Sequence, residues 1–122
     1  MAGWHDSGEA LPLKASADLS AKQFFAVKVN SSREYALASA GTDKIAGSLQ
    51  NKPEAGINCL VYNRGTFPVK LGGTVAIGDL LTSDANGKWV VTTTGGDIVA
   101  ARATQAGVAD DVIEAAGADI RY

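Results

Sequence analysis

Residues 72–93 read GGTVAIGDLLTSDANGKWVVTT, and the reading of this stretch decides the fold class. Two short apolar runs, Asp79-Leu80-Leu81-Thr82 and Lys88-Trp89-Val90-Val91-Thr92-Thr93, flank Ser83-Asp84-Ala85-Asn86-Gly87. Asn-Gly suits a tight reversal because both residues tolerate positive φ. Val, Trp and Thr beyond it suit a pleated, half-buried surface. The stretch is therefore predicted to be a β-hairpin that turns near Asn86-Gly87. Upstream, Gly72-Gly73 and Gly78-Asp79 bracket Thr74-Val75-Ala76-Ile77, which is long enough only for a strand or a bend.

Outward from the hairpin the same pattern repeats. Residues 23–29 (QFFAVKV) alternate, with Phe25, Val27 and Val29 on one side. Asn30-Ser31-Ser32 is a turn cluster, and residues 34–38 return as a paired strand. Residues 45–50 and 57–62 are further strands, the second with Ile57, Cys59 and Val61 on one face. Residues 66–71 pair back, and Pro68 assigns that run to a sheet edge or a bulge. Residues 98–103 form a buried strand. In residues 105–116 a helical turn on the alanines competes with a reversal at Ala109-Asp110-Asp111 followed by a Val112-Ile113-Glu114 strand; the second is favoured. Residues 118–122 close the chain as a strand. Eight to ten short antiparallel strands predict an all-β domain, a small barrel or sandwich.

Residues 1–20 show neither periodicity, and Gly3, Gly8 and Pro12 interrupt them. They are expected to form an extended N-terminal arm on a single β domain of residues 21–122. Trp4, Leu11, Pro12 and Leu13 are its candidate anchors on a partner. Ordering such an arm costs backbone entropy that contacts must offset.

The totals exclude several functions. With 122 residues, 46% hydrophobic and 20% charged, the chain can bury one modest core. The net charge is −2; residues 1–56 carry six basic and six acidic side chains and the remainder five and seven. No basic block exists, so direct nucleic-acid binding by phosphate neutralisation is not expected. No apolar run approaches the roughly 20 residues of a membrane-spanning helix, and no leader is recognisable. A single cysteine excludes an intrachain disulfide, which fits folding in a cytoplasm.

No catalytic constellation emerges, and no enzyme activity, cofactor or metal is expected. The single histidine, His5, lies in the arm, and Cys59 reads as a small core residue rather than a nucleophile. Asp84-Ala85-Asn86-Gly87 lacks the later ligands of a calcium loop, and Asp110, Asp111 and Glu114 read as a solvated loop. Gly72-Gly73 lacks the Lys-Ser/Thr and helix of a phosphate cradle. Lys88 lacks the flanking residues of a biotinyl or lipoyl lysine.

Residues 40–56 (AGTDKIAGSLQNKPEAG) resemble the loop-strand-loop of tailed-bacteriophage capsid decoration, or cement, proteins. Residues 72–88 are similar to their central segment, as are residues 98–103 and the closing acidic-aliphatic strand. The resemblance covers about residues 20–122. Ala100-Ala101 and Ile120-Arg121-Tyr122 depart from the family pattern, so its C-terminal contacts are not carried over. The resemblance implies a non-enzymatic virion protein, made in the host cytoplasm and seated on the capsid exterior. It would bridge neighbouring major capsid protein subunits and stabilise the lattice, as a homotrimer or a dimer, with no direct nucleic-acid or membrane contact. The competing expectation is a carbohydrate- or receptor-binding β domain of a phage or cell-surface appendage, using Trp89 or Tyr62 if these face outward.

Overall fold

The computed structural model describes residues 12–92 and 95–121, the side chains of 119–121 excepted. Among the described residues nine strands follow in order: β1 (Ala26–Val29), β2 (Tyr35–Leu37), β3 (Ile45–Leu49), β4 (Val61–Tyr62), β5 (Thr66–Lys70), β6 (Leu80–Ser83), β7 (Trp89–Val91), β8 (Ile98–Ala103) and β9 (Val112–Arg121). They build two antiparallel sheets, ordered β2-β1-β3-β4 and β5-β9-β8-β6-β7. The architecture is sandwich-like, which decides between the two forms expected of the chain.

The hairpin β6–β7 pairs Leu81 with Val91 and Ser83 with Trp89. Its turn differs from the expected one, since only Gly87 has positive φ, at 80°. The Asp84 carboxylate accepts hydrogen bonds from the backbone N–H of Asn86 (2.8 Å) and of Lys88 (2.9 Å). The loop is thus three residues ending in a left-handed glycine, with Asp84 as the organising residue.

Pro68 lies on β5, an outer strand of its sheet, where a missing ladder donor is tolerated. The reversal before residue 112 is present, and no helix intervenes. One ten-residue strand, β9, replaces the two short strands expected in residues 112–122. It pairs with β5 on one side and β8 on the other. Gly117 permits this continuity: a Cβ there would collide with the Asn63 carbonyl oxygen. The expected strand at 57–62 shrinks to Val61–Tyr62, preceded by an isolated bridge at Asn58.

Two cores result. The first lies between the sheets, where Phe67, Val69, Leu71, Leu81, Trp89 and Ala101 meet Ala26, with Ile45 and Tyr62 packed against them. The second holds Val27, Tyr35, Leu49, Cys59 and Val61, roofed by Ala15 and Leu19. Ala26 and Val27 are adjacent and point to opposite faces, so the four-stranded sheet is buried on both. Val29, expected to share Val27's buried side, is 42% exposed at the strand end.

Residues 13–19 therefore belong to the body, although the sequence assigned them to the arm. Lys14 bridges Asn58 and Ala15 bridges Tyr35. The Cys59 N–H donates to the Leu13 carbonyl (2.8 Å) and the Leu19 N–H to the Pro53 carbonyl (2.9 Å). Ala15 and Leu19 keep only 1% and 4% of their surface. Fully burying an aliphatic side chain of Leu size contributes about 1.5–3 kcal/mol, and these backbone bonds satisfy groups that burial would otherwise leave unpaired.

Candidate functional site

The four anchors assigned to the N-terminus fare differently. Trp4 and Leu11 lie outside the described residues. Pro12 is exposed, and Leu13 is half-buried against the second core of its own chain. Its packing comes from long-range contacts that its irregular neighbourhood did not announce.

Of the side chains weighed for chemistry, His5 lies outside the described residues. Cys59 is buried in the second core, and burial pushes its thiol up to about 11. Lys88 forms an ion pair with Asp110 (2.7 Å) that ties the hairpin turn to the β8–β9 loop. The hydrogen bond and charge of Lys88 hold the Asp110 carboxyl below its ordinary value, with Lys70 adding to the effect. Asp111 accepts from the Val108 N–H (3.0 Å) and shapes the same loop. Among the described residues no group of three or more His, Cys, Asp or Glu is placed to hold a metal ion.

The two aromatic residues weighed for sugar stacking are placed differently. Trp89 is wholly buried, and Tyr62 is half-buried where it packs on the first core.

A groove of about 300 Å³ opens where the sheets meet, lined by Ser20, Gln23, Phe24, Lys52, Lys70 and Val112, among others. Phe24 is a bulky residue at φ 72°, a conformation that costs about 1–3 kcal/mol and persists only when its surroundings impose it. They do so here. The Phe24 N–H donates to the Leu49 carbonyl (2.5 Å) and its carbonyl accepts from the Lys70 N–H (2.8 Å), so this residue clips β3 to β5. Lys22 places its ammonium 5.1 Å from the centre of the Phe25 ring, which also borders the groove. Sequence reasoning did not find this groove. Its lysines are separated by 18 or more residues along the chain, and only folding brings them together.

Elsewhere the surface shows Ile77 and Val108, 72% and 55% exposed. They flank the isolated bridge between Val75 and Gly107.

This two-sheet body has a counterpart among solved structures. The chain is similar in fold to the head fiber gp8.5 N base of bacteriophage phi29. The TM-score is 0.66, with 16% sequence identity over 92% of this chain and 97% of that one. At that identity the likeness is one of fold, and it extends over nearly the whole body rather than one sheet. Neither a family model nor a curated protein sequence matches the chain.

Proposed function

We propose that this chain is a structural protein of a bacteriophage virion, a capsid decoration protein that binds the outer surface of the lattice and bridges major capsid protein subunits. The observation that carries the reading is the near-complete fold likeness to a phage head-fiber base. The independent resemblance of residues 40–56 and 72–88 to decoration proteins points the same way. A small body with two packed cores is stiff, as a clamp must be. A segment upstream of Pro12 bearing Trp4 and Leu11 would supply a tether. In this reading the protein transforms no substrate. It acts as a homo-oligomer, a trimer before a dimer, whose several footholds add by effective concentration.

The test is cosedimentation of the purified protein with expanded capsids and with isolated capsid subunits, followed by imaging of decorated particles. Binding to assembled shells and not to free subunits is expected. No density on the shell at any ionic strength would remove the proposal. Deleting residues 1–11, and no further because Leu13 to Leu19 are built into the body, should leave the fold intact and weaken capsid binding.

A further inference from the structure

The Asn86-Gly87 dipeptide at the tip of the β6–β7 hairpin has a chemistry apart from its part in the turn. Asn86 is the one asparagine of the chain that glycine follows; Asn30, Asn51, Asn58 and Asn63 precede Ser31, Lys52, Cys59 and Arg64, whose side chains crowd the next backbone nitrogen. Two of the others are also held by their amides. Asn30 Oδ1 accepts from the N–H of Ser32 (2.9 Å) and of Glu34 (3.0 Å), and Asn51 Nδ2 donates to the Asn58 carbonyl (3.1 Å). Asn86 is exposed. The Gly87 N–H donates to the Asp84 carbonyl at 3.3 Å, past the usual bound of about 3.2 Å, so this bond is a weak restraint.

We propose that Asn86 is a spontaneous modification site of the folded protein, where deamidation to isoaspartate loosens the hold of the hairpin on β1. The Gly87 nitrogen gives its proton to solvent and bonds to Asn86 Cγ. The Cγ–Nδ2 bond breaks, and Nδ2 leaves as ammonia. One water then opens the cyclic imide, at Cγ to give aspartate or at the main-chain carbonyl to give isoaspartate. Water is the one co-reactant, and nothing is oxidised or reduced. Gly87 is itself packed in place, so the exposed Asn86 side chain is the partner that moves to the attack.

The isoaspartate product routes the main chain through Cβ and Cγ, which adds one backbone atom and a free carboxylate. The turn has no slack for either. The Gly87 carbonyl accepts from the Ala26 N–H (2.7 Å), a Cβ on Gly87 would stand 2.5 Å from Leu37 Cδ1, and Lys88 pairs with Asp110 (2.7 Å). The Asp84 carboxylate already accepts from the Asn86 and Lys88 N–H groups, so the new charge faces a like one. This inference concerns the chain alone and stands apart from the capsid reading.

The test is prolonged incubation of the full chain in warm, mildly alkaline buffer, with and without urea, followed by peptide mass mapping and chromatographic separation of the isoaspartyl form. Exchange of NH2 for OH is expected at Asn86 and at no other asparagine in the folded chain. Its rate should lie within about tenfold of the rate in urea, the weight of one ordinary backbone hydrogen bond. The isoaspartyl fraction should melt at least about 3 °C below fresh protein. N86D, which has the charge without the added backbone atom, should melt above that fraction, and N86A should keep its melting temperature throughout. A folded chain that stays intact at Asn86 while the urea-treated chain converts would overturn the proposal. So would an isoaspartyl fraction that melts with the fresh protein.

Discussion

The ring of Trp89 meets the ring of Phe67 at a centroid distance of 6.5 Å and an angle of 51°, which joins β7 to β5 across the main core. Trp89 is fully buried, and its Nε1–H has no hydrogen-bond partner among the described residues. A buried unpaired donor costs about 1–3 kcal/mol, so part of what this side chain contributes by packing is offset. Trp89→Ala should cost about 3–5 kcal/mol. Trp89→Phe, which keeps the ring contact and removes the unpaired donor, should cost less than about 2 kcal/mol. Urea unfolding of both variants separates the terms; equal losses would show that the indole nitrogen carries no penalty.

Two glycines on the surface of the same sandwich should behave oppositely. A Cβ on Gly117 would strike the Asn63 carbonyl, where β9 passes the turn before β5, whereas a Cβ on Gly73 meets nothing within 4 Å. Gly117→Ala should destabilise by about 1–3 kcal/mol through forced backbone movement. Gly73→Ala should be neutral or stabilising by up to about 1 kcal/mol, because it restricts the unfolded chain. Thermal unfolding of the pair checks the assignment of β9 as one continuous strand.

What could be read from the residues alone follows the range of the forces involved. The place of the turn near residues 84–88 and the edge position of Pro68 are local matters, and both were legible; the type of turn was not, because Asp84 organises it. β9 was seen as two pieces because Gly117 breaks the alternation, yet that glycine is what lets the strand run on past Asn63. The roof formed by Ala15 and Leu19 was hidden. Its burial depends on partners near residues 35, 53 and 58, and the segment itself has no periodicity to betray it. The groove was hidden for the same reason, and the positive φ of Phe24 runs against everything its residue type suggests.

Acid stability should carry the signature of Asp43. Burial by itself raises this carboxyl, but the Ser39 N–H (2.8 Å) and the Lys28 ammonium (3.1 Å) outweigh it and hold it below its ordinary value of 3.8. A carboxyl depressed in the folded state adds stability that is full above the unfolded value and lost as pH falls through the folded one. Asp43→Asn should therefore be less stable than wild type at neutral pH and converge with it in acid. Melting temperatures from about pH 6 to about pH 2 test this. Asp110→Asn should change little, because its pair with Lys88 lies in solvent.

The Cys59 thiol should be inert in the native protein. With its ionisation pushed up to about 11, thiolate near pH 8 is on the order of one part in a thousand, and the sulfur is shielded in the second core. Reaction with a disulfide reagent should follow unfolding and accelerate in urea in step with the loss of structure. Rapid labelling under native conditions would mean that the roof formed by Ala15 and Leu19 opens on its own.

The β6–β7 turn supplies the sharpest test of the corrected geometry. Asp84→Ala removes two backbone hydrogen bonds at once and should cost about 1–2 kcal/mol. Gly87→Ala forces a side chain into φ 80° and against Leu37 Cδ1 at 2.5 Å, so at least about 2 kcal/mol is expected. Asn86 has ordinary φ, and Asn86→Ala should stay within about 0.5 kcal/mol. A two-residue Asn-Gly turn would place both residues at positive φ and make the Asn86 substitution costly as well. The ratio of the Asn86 and Gly87 losses therefore reports which turn the hairpin uses, and equal losses would restore the turn that the dipeptide alone suggests.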